Sequence, residues 1–179
     1  GDADLLGYIL SHSAHPLDAA HALAEHARLL GDSADCRVET SEESVSITVG
    51  LTGGKQMLLE TSDFAAAMLY RMLRECSHGA AAPREVRLPR PEPRNPRMFE
   101  RFFGAPVTYA APASALIYPR ECMSVPFTHS DRQLLGILKA HARERLQALP
   151  QADFQARARA FIADGLLSGD YTLEHVAFR

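Results

Sequence analysis

The sequence predicts an α+β fold: a mostly antiparallel sheet of about five strands, two hairpins plus one strand, packed with helices and followed by a helical C-terminal extension. Three observations predict it. Segments of period-2 alternation lie among segments of 3.6-residue periodicity without a regular βα alternation, which argues against a doubly wound parallel sheet. Short alternating segments come in pairs separated by polar or proline-containing turns, as hairpins do. After Pro150 the helical period resumes as a separate unit.

The elements follow in order. Leu5 to Ser11 reads as the end of a helix, because Leu5, Leu6, Tyr8, Ile9 and Leu10 are too apolar to be exposed. Pro16 suits a first helical turn, and the helix from there to Leu30 sets Leu17, Ala20, Leu23, Ala24, Ala27 and Leu30 against Asp18, His21, Glu25 and Arg28. Gly31 stops it. Cys36–Thr40 and Ser44–Val49 form a hairpin through Ser41-Glu42-Glu43, with Val45, Ile47 and Val49 on one face. Asp63, preceded by Ser62, is placed to start a helix to about Cys76 that is apolar nearly all round and therefore expected to be buried on more than one side. Glu85–Leu88 is a strand. Pro89, Pro91, Pro93 and Pro96 enforce an extended connection, and Asn95 with Pro96 opens a short helix that ends at Gly104. Val107–Tyr109 and Ala115–Tyr118 read as a second hairpin turning through Ala111-Pro112-Ala113, and a long helix runs from Ser130 to about Leu149.

The tail has Phe154, Ala158, Phe161, Ile162 and Leu166 at helical spacing, a break at Ser168-Gly169-Asp170, and Thr172 as the N-cap of a further helix with Leu173, Val176 and Ala177 inward. Two such helices cannot close a core by themselves, so the expected division is 1–150 for one domain and 151–179 for the beginning of another.

Composition narrows the function. With 46% hydrophobic and 23% charged residues the chain reads as a globular protein, and no apolar run approaches the ~20 residues that span a bilayer. The acidic start Gly1-Asp2-Ala3-Asp4 lacks a secretory lead, and three widely spaced cysteines (Cys36, Cys76, Cys122) suit a reducing compartment, so the cytoplasm is expected. A net charge of -3 argues against a grip on a polyanion by these residues. No nucleophile elbow, P-loop or dinucleotide fingerprint occurs. Among His12, His15, His21 and His26 only the first pair has ligand spacing, so a solvated helix face is the better reading and no metal or cofactor is expected. Cys76 and His78 lack a third catalytic group, and a small enzyme built on them is the competing reading, with a dimerisation module lacking a ligand as a third.

Two stretches carry a resemblance. Met98-Phe-Glu-Arg-Phe-Phe-Gly-Ala-Pro-Val-Thr-Tyr109, with Ala115-Leu-Ile-Tyr118 and Val125-Pro-Phe-Thr-His-Ser-Asp131, resembles the arabinose-binding-type N-terminal domain of one AraC/XylS subfamily. Leu5-Leu-Gly-Tyr-Ile-Leu10 matches the segment before the sensor helix there. Phe161-Ile162 through Tyr171-Thr-Leu-Glu-His-Val-Ala177 is similar to the opening of the AraC-type helix-turn-helix domain. The resemblance implies an effector-sensing, non-enzymatic domain of a bacterial transcription factor, a homodimer that reaches DNA through recognition helices expected beyond Arg179. It also implies a longer N-terminal part before Gly1, and a basic residue in the proline-rich segment, where Arg90 stands.

The expected effector site has an apolar wall of Phe64, Met68, Tyr70 and Met72, between the third helix and the sheet, with Met57 nearby. Arg87 and Arg90 would grip an anionic group in bidentate fashion, beside Tyr109. The run Arg84, Arg87, Arg90, Arg94, Arg97 and Arg101 is otherwise an ordinary solvated edge, half offset by Glu85, Glu92 and Glu100. The long last helix places Leu134, Leu138, Ala142 and Leu146 on one stripe, the expected dimer interface, with Leu135 and Ile137 widening its apolar surface.

Overall fold

The computed structural model describes residues 1–149. Helix α1 (Asp2–Ser11) and helix α2 (Pro16–His26) are followed by the hairpin β1 (Ala34–Thr40) and β2 (Ser44–Leu51). Then come α3 (Leu59–Cys76), β3 (Glu85–Arg87), α4 (Pro96–Phe103), β4 (Val107–Thr108), β5 (Ser114–Pro119) and α5 (Arg132–Ala148). The expected tail helices at 151–179 lie outside the described residues.

The five strands form one sheet in the order β1-β2-β5-β3-β4, antiparallel except for the β3–β4 pair. Because side chains alternate across a strand, the register defines its faces. Val38, Ile47, Leu116, Val86 and Val107 fall in one row across all five strands. That row joins Leu6, Ile9, Ala19, Leu23, Leu69 and Leu73 in a single core, so α1, α2 and α3 cover one face of the sheet. Arg37, Glu39, Ser46, Thr48, Glu85 and Arg87 point the other way and make that face largely polar, with Ala115 and Ile117 of β5 buried beneath their neighbours.

Several local expectations need correction, among them Tyr8, expected to be shielded but 59% exposed on α1. The second hairpin does not exist. β3 lies between β4 and β5, pairing parallel with one and antiparallel with the other. The Val86 N–H donates to Pro106 O (3.0 Å), the Leu88 N–H to Thr108 O (2.9 Å), and the Arg84 N–H to Ile117 O (2.8 Å). β3 thus satisfies its polar backbone on both sides, which the two-residue β4 could not do for β5. β3 and β4 are joined through α4, the crossover that a parallel pair requires.

Second, α3 begins four residues before Asp63, at Leu59, with Leu58 as an N-cap that makes no side-chain bond. The Asp63 carboxylate is instead taken by Arg90. Third, α3 is covered on one side only: Phe64 and Met68 stand 65% and 52% exposed. Besides the sheet, α3 meets α4, where Tyr70 packs on Phe102 and Phe103, but neither neighbour reaches over Phe64 and Met68. Fourth, the end of α2 tightens into a 3-10 turn at Ala27–Leu30, which shifts the inward position from Leu30 to Leu29.

α4 starts at the expected position, although Asn95 makes no side-chain capping bond, and α5 is capped by Asp131. Asn95 precedes α4 with Pro96 in its first turn, and Gly104 closes it in the left-handed region (φ 65°, ψ 23°). At α5 the Asp131 carboxylate accepts from the N–H groups of Gln133 and Leu134, both at 2.9 Å. α5 is tied to α1 by Arg145–Asp2 (2.9 Å) and to α2 by Arg143–Glu25 (3.4 Å).

Candidate functional site

A cleft lies at one end of the sheet, where β1 begins, β2 ends and β5 begins. This cleft of about 480 Å³ is bounded by Asp35 and Arg37, by Thr48–Leu51, by Lys55–Met57, by Leu59 and Ser62 of α3, and by Pro89 and Ala111–Ser114. Its size suits a small metabolite. Each wall has a local cause. The register pairs Ala34 with Leu51 and Val49 with Ser114, bringing three strand ends together. Thr52–Gly54 then turns the chain back towards α3, with Gly53 at φ 72°.

The lining carries both signs of charge. The Arg37 Nε donates to Asp35 Oδ2 at 3.1 Å, and Lys55 Nζ donates to Ser33 Oγ at 3.3 Å. Ser62 and Ser114, both buried, face each other with 2.7 Å between their hydroxyl oxygens. With guanidinium, ammonium, carboxylate and hydroxyl groups beside apolar surface, the cleft offers both donors and acceptors to any small polar molecule that enters it.

One residue away from this cleft, on two chain segments, stands a second feature. Ser62 is followed by Asp63 and Pro89 by Arg90, and Arg90 Nη1 donates to Asp63 Oδ2 at 2.6 Å. The Arg90 guanidinium also lies 4.8 Å from the Phe99 ring centre on α4, and Phe99 meets Tyr109 edge-on at 6.2 Å. Asp63 Oδ1 and Arg90 Nε are shielded from solvent without a hydrogen-bond partner among the described residues. Burial pushes the Asp63 carboxyl above the usual carboxylate range, and the Arg90 charge recovers only part of that. The short contact is therefore a pairing that limits a burial cost rather than a net gain. Burial, then Glu100 and Glu92, likewise raises the Tyr109 hydroxyl.

Among the residues the sequence singled out, the structure brings Arg90 and Tyr109 into this cluster and disperses the others. Phe64 and Met68 face solvent, Met72 packs half-buried against the core, and Tyr70 is buried against Phe102 and Phe103 at 5.5 and 5.3 Å. Arg87 lies on the polar face of the sheet, bonded to Glu85 at 2.7 and 3.2 Å, so it shares no partner with Arg90. Met57 alone of the methionines lines the cleft. On α5, Ala142 is fully buried while Leu138 and Leu146 pack against the chain's own core; Leu134 is 37% exposed, and Ile137 is 63% exposed. The cleft residues Asp35, Arg37, Lys55, Gln56, Ser62 and Ser114 were missed. Their one sequence cue is Thr52-Gly53-Gly54-Lys55, which by its residue types reads as the exit of the β1–β2 hairpin.

The histidines and cysteines have local duties. His15 Nδ1 accepts from the Asp18 N–H at 3.4 Å, and His12 Nδ1 donates to Tyr8 O at 2.9 Å. His26 is not on a solvated face but fully buried, bonded through Nδ1 to Ala22 O at 2.9 Å. No group of three or more potential metal ligands occurs among the described residues. Burial raises the Cys76 thiol, the opposite of what a nucleophile needs, and His78 bonds to Thr128. No helix among the described residues is long and apolar enough to cross a membrane.

Comparison with known proteins supplies the family. No curated protein matches the sequence. Among solved structures the fold is similar to that of the transcriptional regulator CdpR from Pseudomonas aeruginosa, with a TM-score of 0.61 at 16% identity. That match covers 75% of this chain and 44% of the CdpR chain, so this chain spans less than half of that protein's length. The family model described as the arabinose-binding domain of AraC transcription regulators, N-terminal, matches residues 1–127. This span takes in α1 to β5, with the cleft and the Asp63–Arg90 pair, and the chain therefore belongs to the family of AraC-type transcription regulators, through their N-terminal arabinose-binding-type domain.

Proposed function

We propose that residues 1–150 are the effector sensor of an AraC-type regulator and that the effector is a small polar molecule bound in the cleft between the strand ends and α3. The observation that carries this reading is the adjacency of cleft and ion pair: Ser62 and Pro89 line the cleft, and the next residues, Asp63 and Arg90, hold α3 to the segment leading into α4. An effector that presses on Ser62 or Pro89 acts directly on the contact that holds α3 to that segment, a contact with two atoms still unsatisfied. Binding biases one arrangement of α3 and α4 over another. By linkage the same bias alters dimer geometry or the docking of a DNA-binding part, for which residues 151–179 are the proposed beginning. The homodimer uses the outward apolar residues of α5, Leu134 and Ile137, in place of the inward stripe Leu138, Ala142 and Leu146. An Ile137→Asp variant is expected to sediment as a monomer.

A thermal-shift screen of amino acids, sugars and fatty acids tests the sensor. A ligand at a hundred times its Kd stabilises the folded chain by about 2.7 kcal/mol. Polar ligands are expected to give the shift, Lys55→Gln to diminish it, and fatty acids to give none. Absence of any shift, or a shift that cleft substitutions leave unchanged, overturns the reading. Specific promoter binding is expected of the full regulator and not of this chain.

A further inference from the structure

We propose that the groove between the C-terminal half of α3 and α4 is a second ligand site, taking a small organic anion with a flat apolar body. The groove, about 580 Å³, is lined by the three arginines Arg71, Arg74 and Arg101 and one carboxylate, Glu75, with the Tyr70 and Phe102 rings between them. It shares no residue with the effector cleft. Three guanidiniums therefore meet one carboxylate in a chain whose net charge is -3. Glu75 is already engaged: Arg71 donates to it through Nε at 3.2 Å and Nη2 at 2.8 Å.

The other two arginines are oriented by groups that leave their charge unmatched. Arg74 Nη1 donates to the Tyr70 hydroxyl at 2.6 Å, and its guanidinium carbon lies 5.8 Å from the Tyr70 ring centre. Arg101 Nε donates to Arg97 O at 3.4 Å. Neither has a carboxylate within ion-pair distance among the described residues. A guanidinium carries five N–H donors in a planar fork, so each retains the pair that grips a carboxylate or phosphate. Holding the forks in place before the ligand arrives lowers the ordering cost of binding.

The apolar half of the site is equally fixed. Tyr70 is buried at the floor, and Phe102, 44% exposed, stands 5.5 Å from it with its ring tilted by 57°. An exposed phenylalanine beside unmatched guanidiniums offers a face for a flat ring while the head group meets the charges. At the rim, Gly79 (φ 86°) has nothing within 4 Å of where a Cβ would stand, so the mouth is open.

Calorimetric titration of the full chain with phenyl phosphate, inorganic phosphate and benzyl alcohol tests the site. Phenyl phosphate is expected to bind at least about tenfold more tightly than either, because only it offers both halves. Arg101→Gln, at an exposed position, is expected to weaken phenyl phosphate by about tenfold or more with an unchanged melting temperature. Phe102→Ala is expected to bring phenyl phosphate down to the level of inorganic phosphate. Lys55→Gln, in the other cleft, leaves this titration unchanged, which separates the two sites. No saturable binding, equal affinity for the two phosphates, indifference to Arg101→Gln, or loss on Lys55→Gln each overturns the proposal.

Discussion

Replacing Arg90 by alanine is the most informative single perturbation, because it removes two contacts at once and leaves a partly buried carboxylate without its partner. The lost bond to Asp63 is 2.6 Å long between side chains 31% and 18% exposed. A hydrogen bond to a charged group contributes roughly 1.5–3 kcal/mol, and the partial exposure places this one at the lower end. The lost contact with the Phe99 ring at 4.8 Å adds about 0.5–1 kcal/mol. The expected cost is thus about 2–3 kcal/mol at pH 7, or a melting temperature lower by about 6–9 °C. The sign of its pH dependence follows from Asp63. Its folded-state carboxyl is raised by burial, so its contribution to stability is full below the unfolded value and is lost as pH rises through the folded one. Without Arg90 the carboxyl rises further, and the cost of the substitution shrinks as pH falls towards 4.5. Asp63→Asn removes the charge but keeps a hydrogen-bonding side chain, and is expected to cost less than about 1 kcal/mol. Urea unfolding followed by circular dichroism at pH 4.5 and 7 measures all of these. A cost for Arg90→Ala below about 0.5 kcal/mol, or equal at the two pH values, refutes the reasoning.

Three further outcomes follow from the packing. Burial pushes the Cys36 thiol up to about 12, so the folded chain keeps a proton that the unfolded chain sheds above its ordinary value near 9. Stability is expected to fall by about 1.4 kcal/mol per pH unit between these values, a slope that Cys36→Ala flattens in denaturant titrations. Ser62→Ala and Ser114→Ala each strand a buried hydroxyl at about 1–2 kcal/mol, while the double variant costs clearly less than their sum; additive costs would remove the 2.7 Å contact from the account. Gly104→Ala meets only ordinary contacts, Arg74 Nη1 at 3.8 Å and Tyr70 Oη at 4.0 Å. Its cost is therefore the left-handed backbone alone, about 1 kcal/mol, and an unchanged melting temperature would contradict it.

The parts of the fold legible in the sequence are those governed by short-range rules. The hairpin through Ser41–Glu43 follows from strict alternation around a three-residue turn, and α4 from Asn95-Pro96 at one end and Gly104 at the other. Where a choice depended on a distant strand, local reading failed. Val107–Tyr109 and Ala115–Tyr118 are separated by a proline-containing turn and look like a hairpin, yet β3 competes for the same edge and wins. Its advantage is long-range: Ala110, in the left-handed region at φ 55°, donates its N–H to Arg90 O at 2.9 Å and keeps β4 on the far side of β3. No turn propensity encodes that contact.

The site was less legible than the fold, and for a related reason. A helical stripe such as Phe64–Met68 announces itself by hydrophobicity, but hydrophobicity predicts burial only if something packs over that side, and nothing among the described residues covers Phe64 and Met68. The cleft, by contrast, is assembled from strand ends and connections, each contributing one to four residues whose types are those of any polar turn. Arg90 is the instructive exception. A lone arginine in a proline-rich segment is conspicuous because the prolines leave its neighbours no other structural duty, and its charge must find a partner outside that segment. The partner, Asp63, sat in view as an assumed helix cap. Had α3 been started at Leu59, Asp63 would have fallen in its second turn with no capping role. A carboxylate there, next to a buried serine, needs a cation from elsewhere in the chain. The helix start and the ion pair are thus linked: with α3 beginning at Leu59, the Asp63 carboxylate has no capping duty and pairs with Arg90.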